Sequence, residues 1–95
     1  MRPSNKKREV AVLVARAIDD TEVERHEISL EEYYQGLHKL IDDGEYRANH
    51  GIITIEGELF DPSGELLQKF RNTYTADGRY KSGRAVHADG TITED

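Results

Sequence analysis

The sequence predicts an α+β domain in which N-terminal helices pack on one face of a four-stranded antiparallel meander. Turn clusters at Asp61-Pro62-Ser63-Gly64, Asp77-Gly78 and Asp89-Gly90 separate four runs of strand-forming residues between Ile52 and Thr93. Ahead of them, Val10 to Ile18 and Leu30 to Ile41 carry apolar residues at three- and four-residue spacing. At 95 residues the chain holds a single domain, because two cores would each bury too little apolar surface. Its expected divisions are a frayed terminus at 1–5, a mainly helical part at 6–44 and the meander at 52–93.

Pro3, followed by Ser4 or Asn5, suits the cap of a first helix. Val10, Leu13, Val14, Ala17 and Ile18 then form its apolar stripe, with Arg8, Glu9, Arg16 and Asp19 elsewhere on the wheel. Two features oppose a helix. Val10, Val12, Val14 and Ile18 are β-branched, and Lys6, Lys7 and Arg8 stand at the positive end of its dipole with Asp19 and Asp20 at the negative end. The stripe favours helix; if the segment is a strand instead, Glu22 to Ile28 becomes its hairpin partner.

The second helix has a well-specified start. Ser29 and Glu32 form a capping box, and Ile28 staples onto Tyr33. Leu30, Tyr33, Tyr34, Leu37, Leu40 and Ile41 make one stripe, with Gly44 placed to end the helix near Asp43. Gly36 inside it costs about 1 kcal/mol relative to Ala and points to close packing against a neighbour. Tyr46 and Ala48 read as a short lead-in strand.

In the meander, closing the first hairpin over Asp61 to Gly64 sets Ile55 beside Phe70 and Glu56 beside Lys69. A two-residue turn at Asp77-Gly78 sets Thr73 beside Ser82 and Arg71 beside Arg84; the turn at Asp89-Gly90 sets His87 beside Ile92. The inward face then collects Ile53, Ile55, Leu59, Leu66, Phe70, Tyr74, Ala85 and Ile92, and the outward face Glu56, Lys69, Arg71, Thr73, Thr75, Tyr80, Ser82 and Arg84.

Net charge is −6, but the signs are segregated: Asp19 to Glu65 is strongly acidic, and Leu66 to Ala88 is basic. With no cysteine, disulfides and thiolate chemistry are excluded, which fits a reducing cytoplasm. No apolar run approaches the ~20 residues that span a bilayer, so a soluble cytoplasmic protein is expected. The histidines His26, His38, His50 and His87 lack the spacing of a helical zinc motif, and no metal or cofactor is implied. Adjacent acids such as Glu31-Glu32 diverge on a helix, and Ser29 is better used as a cap than as a nucleophile, so the chain does not read as an enzyme.

Two surfaces remain. The acidic one comprises Asp19, Asp20, Glu24, Glu31, Asp42 and Asp43 and suits a basic protein partner. By analogy of class, this predicts a small accessory protein of regulator, inhibitor or immunity type, with homodimerisation compensating for a modest core. The alternative is a nucleic-acid module using Lys69, Arg71, Tyr80 and Arg84 on the outward sheet face, where charge meets phosphate and a ring stacks on bases.

Overall fold

A computed structural model describes residues 9–94. The frayed start and the capping and basic residues before Glu9 lie outside them. The strands are β1 (Val10–Arg16), β2 (Glu22–Ser29), β3 (Thr54–Phe60), β4 (Leu66–Tyr74), β5 (Tyr80–His87) and β6 (Ile92–Glu94). They form one antiparallel six-stranded sheet in the order β2-β1-β3-β4-β5-β6. Three short helices, α1 (Leu30–Tyr34), α2 (Lys39–Asp42) and α3 (Gly44–Asn49), lie between β2 and β3 in sequence.

This corrects the expected fold of N-terminal helices on a four-stranded meander. Val10–Arg16 is a central strand, hydrogen-bonded to β2 on one side and β3 on the other. Ala11, Leu13 and Ala15 are fully buried on the helix side, while Val14 is buried on the opposite face. With helices over one face and long charged side chains around Val12 and Val14 on the other, the strand is apolar on both faces and reads as a continuous run. Its three-and-four spacing therefore carried no information about helix. Glu22–Ser29 is its hairpin partner, and 6–44 is therefore not mainly helical.

The second helix starts where the capping box places it, with Ser29 Oγ accepting from the Glu32 backbone N–H at 3.0 Å. It does not run on to Asp43. Gly36 adopts φ +67°, a left-handed conformation that closes α1 rather than packing within a helix. Gly44 begins α3 instead of ending a helix, because Asp43 caps the Tyr46 N–H at 3.0 Å. Tyr46 and Ala48 are accordingly helical and not a lead-in strand.

Four hairpins close in one way. The backbone N–H groups of Ala17, Asp61, Thr75 and His87 each donate to the carbonyl four residues on, at 2.8–3.0 Å. Each is thus a three-residue loop with its last residue left-handed: Asp20 (φ 70°), Gly64 (91°), Gly78 (89°) and Gly90 (89°). Against a four-residue loop expected at Asp61 to Gly64 and two-residue turns expected at Asp77-Gly78 and Asp89-Gly90, these loops change the pairings in β3–β4 and β5–β6. In β4–β5 a bulge at Thr73/Tyr74 offsets the extra loop residue, and the expected Thr73–Ser82 and Arg71–Arg84 pairs hold. In β3–β4 a bulge at Leu59/Phe60 adds a second residue, so Gly57 pairs with Phe70 and Ile55 with Asn72; a slip of two preserves both faces. In β5–β6 the slip is one residue, Val86 pairs with Ile92, and Ile92 turns outward at 50% exposed. Leu66, also expected inside, is 38% exposed beside the bulge.

The core joins Ala11, Leu13, Ile55, Leu59, Phe70 and Tyr74 of the sheet to Leu30, Leu40 and Ile52 of the helical segment. Each large aliphatic side chain here stabilises the fold by about 1.5–3 kcal/mol. No described helix is long and apolar enough to cross a membrane.

Candidate functional site

The helices cover one face of the sheet, and two charged cross-strand rows run across the middle of the other. In strand order from β2 to β6, the first reads Arg25, Val14, Glu56, Arg71, Arg84, Glu94. The second reads Glu27, Val12, Glu58, Lys69, Val86, Ile92. Long charged side chains stand around Val12 and Val14 and enclose an open concavity of about 540 Å³.

Arg71 and Arg84 are direct neighbours, as the β4–β5 register predicts. Their charges are answered within the chain. Arg71 lies 2.8 Å from Glu56 and 3.8 Å from Asp20, and Arg84 lies 3.4 Å from Glu94. Glu56 also meets Arg16 at 2.8 Å, and Lys69 meets Glu58 at 3.8 Å. The Arg16 hydrogen bond, followed by the nearby arginine charges, holds the Glu56 carboxyl below its ordinary range. Glu58 and Glu94 are the neutralising acids that sequence reasoning missed; counting three-residue loops and the bulge would have placed Glu58 beside Lys69.

Tyr80 does not join this face. A register shift at Thr73/Tyr74 pairs it with Tyr74, and its ring meets the buried Tyr74 ring edge-on at 6.0 Å, centroid to centroid. Its hydroxyl end lies over Gly83 beside Asn72, on the helix-covered side of the sheet. Lys69, Arg71 and Arg84 therefore stand together without the expected ring.

The six expected acidic residues do not form one patch. Asp19 accepts from the Thr21 N–H at 3.1 Å within the β1–β2 loop, and Asp20 lies between Arg16 and Arg71. Asp43 caps α3, while Asp42 ends α2 and is exposed. Glu31 is exposed in the first turn of α1.

Glu24 turns towards the helices. It accepts from the Tyr46 hydroxyl and lies 2.7 Å from His26 Nε2. The His26 hydrogen bond and then that of Tyr46 lower its carboxyl pKa, and Glu24 in turn raises the Tyr46 phenol. The His26 ring lies 4.7 Å from His38, whose Nδ1 accepts the Leu40 N–H at 3.1 Å and caps α2. His38 thus sits at the start of α2. Lys39 stands 4.6 Å over the Tyr46 ring, and the His50 ring stacks on Tyr46 with centroids 4.0 Å apart. This network fastens α2 and α3 to β2. Among the described residues no group of three or more His, Asp or Glu side chains is arranged to hold a metal ion.

Glu27 on β2 and Glu31 on the helix that directly follows it are exposed and form no salt bridge among the described residues, and Glu32 beside Glu31 is half-buried. They border β2, an eight-residue strand that among the described residues is paired to β1 alone and forms an edge of the sheet. Comparison of the chain with protein families, curated proteins and solved structures finds no match.

Proposed function

We propose that the chain is a small protein-binding accessory protein, of regulator or inhibitor type, that engages a basic segment of its partner along the β2 edge. The observation that supports this is the combination, at one margin of the sheet, of an open eight-residue strand with the acids Glu22, Glu27, Glu31 and Glu32. An open edge offers unpaired backbone groups to an extended peptide, and acidic side chains on it repel a second copy of the same edge while favouring a basic strand. A cysteine-free chain suits a reducing compartment, the cytoplasm among them.

Affinity capture from the source cell tests this. Wild-type bait is expected to retain a basic protein that is lost to Glu27→Lys plus Glu31→Lys plus Glu32→Lys bait of unchanged far-UV dichroism. Equal retention by both baits would remove the acidic edge from the binding surface.

The nucleic-acid reading has one observation in its favour, the adjacent Arg71 and Arg84. Against it, a polyanion must displace Glu56, Glu58 and Glu94 from their bases, and the net charge of −6 repels it. Titration with generic DNA and RNA at low salt decides the matter: binding that weakens steeply with salt and vanishes in Arg71→Glu plus Arg84→Glu supports this reading, and no binding ends it.

A further inference from the structure

The uncovered face changes sign at its middle. The sheet has three strands on each side of the line between β3 and β4, and the central column is acidic on β3 (Glu56, Glu58) and basic on β4 (Lys69, Arg71). We propose that this face closes against a second copy of the chain, related by a twofold axis that runs parallel to the strands and passes between β3 and β4. This goes beyond the β2-edge reading and uses the open face of the sheet, with Glu27 at its margin common to both.

The register dictates what such an axis brings together. Strand β3 faces β4 of the second copy, β1 faces its β5, and β2 faces its β6, each residue keeping its own row. Glu56 then meets Arg71 of the second copy, Glu58 meets its Lys69, and Arg25 meets its Glu94, three contacts of opposite charge. Val12 meets Val86, an apolar pair. The two remaining contacts, Val14 with Arg84 and Glu27 with Ile92, pair an apolar side chain with the stem of a charged one. No position opposes like charges.

The other in-plane twofold, perpendicular to the strands, keeps each strand on its own copy and exchanges the rows. It lays Glu56 on Glu58 and Lys69 on Arg71 at the centre of the contact, where repulsion is least screened. Charge therefore selects one of the two arrangements.

The chemistry leaves room for the added contacts. Side-chain exposure is 53% for Arg71, 60% for Lys69, 33% for Glu56 and 44% for Glu58, so each intrachain pair has a solvent-facing side on which a second partner can sit. Packed sheets stand about 10 Å apart, a gap that an arginine or lysine meeting a glutamate spans. Aligned sheets cross at about 30°, so the β3–β4 contacts at the axis keep the closest register. Because partly solvated ion pairs are desolvated on closure, the association is reversible and weakens with salt.

Cross-linking tests the arrangement without disturbing the charges, since the chain has no cysteine of its own. Single Val12→Cys and Val86→Cys chains are oxidised separately and as an equimolar mixture at low salt. In the proposed dimer, Val12 faces Val86 of the second copy, whereas two copies of either residue lie three strands apart, about 14 Å along the sheet. The mixture is expected to give several-fold more disulfide-linked dimer than either variant alone. Self-coupling as fast as mixed coupling would overturn the axis.

Light scattering then tests the charge argument. Lys69→Glu plus Arg71→Glu chains and Glu56→Lys plus Glu58→Lys chains are each expected to be monomeric and to recover dimer mass when mixed. Wild-type protein that keeps single-chain mass at high concentration and low salt would overturn the proposal. Equal capture of partner by wild-type and Glu27→Lys plus Glu31→Lys plus Glu32→Lys bait, with the wild-type dimer intact, would count only against the β2-edge reading.

Discussion

The Arg47 guanidinium donates twice to the carbonyl of Gly78, from Nη2 at 2.6 Å and from Nε at 3.2 Å. Its Nη1 reaches the carbonyls of Leu40 and Ile41, both at 2.9 Å, and the group lies 4.0 Å over the Tyr74 ring. At 6% exposed, this arginine is buried, and its charge is held by the carbonyl end of α2 and by an aromatic face. It pins all three elements, α2, α3 and the β4–β5 loop, to one another. Arg47→Ala strands three carbonyls and is expected to cost about 3 kcal/mol or more, and Arg47→Lys, which lacks the planar fork, is expected to recover only part. Urea unfolding of the two variants measures both; a loss below about 1 kcal/mol for Arg47→Ala would mean water replaces the guanidinium.

Asp20 holds the loop position that glycine holds in the other three hairpins, and its φ of 70° carries a steric penalty that glycine does not pay. Asp20→Gly is expected to raise stability by a few tenths to about 1 kcal/mol, the gain reduced by the loss of its exposed contacts to Arg16 and Arg71. Asp20→Val at the same position is expected to destabilise, since β-branched residues resist the left-handed region. Thermal unfolding that ranks Val above Asp would show that the loop is free to change type.

How far the fold was legible follows from these same loops. The positions of Gly64, Gly78 and Gly90 mark three reversals correctly, and the Ser29 cap is where Ser29 and Glu32 place it. The fourth reversal carries an aspartate at its left-handed position, so the apolar spacing of Val10–Arg16 outweighed it, and helix was preferred to the hairpin with Glu22 to Ile28 that the sequence also allows. Face assignment survived in β3 and β4 because loop and bulge together shift the pairing by an even number; it failed at Ile92, where the shift is odd. The acidic candidates were legible as charges but not as tasks: the odd spacing sets Glu24 and Glu27 on opposite faces of a strand, but nothing in it says which of those faces α3 covers.

Gly57 lies opposite Phe70, and a β-carbon added at Gly57 would stand inside the Phe70 ring, which is itself stacked on Tyr33 with centroids 5.5 Å apart. Gly57→Ala is therefore expected to cost about 1–3 kcal/mol by overpacking. Combining it with Phe70→Leu should cost less than the sum of the two single changes, because the smaller side chain vacates the clash. Additive losses in this double-mutant cycle would mean the ring moves aside freely.

Acid should weaken the fold in two stages. Burial, followed by the neighbouring His26 ring, holds the His38 imidazole below its ordinary pKa, with Lys39 adding to this and Glu32 and Glu24 opposing it. As pH falls through about 6.5 the unfolded chain takes up this proton before the folded one does, so stability present above that pH is lost below it. Protonation at Nδ1 also removes the acceptor that caps Leu40 N–H. The second stage begins near the ordinary carboxylate range, about pH 4.3, where the lowered pKa values of Glu24 and Glu56 make the unfolded chain again the better proton acceptor. His38→Asn supplies a cap that does not titrate, and it should hold its stability at neutral pH while flattening the first stage and leaving the second. Urea midpoints measured from about pH 7.5 to 3.5 resolve the stages. A first stage of unchanged depth in His38→Asn would assign it to another group.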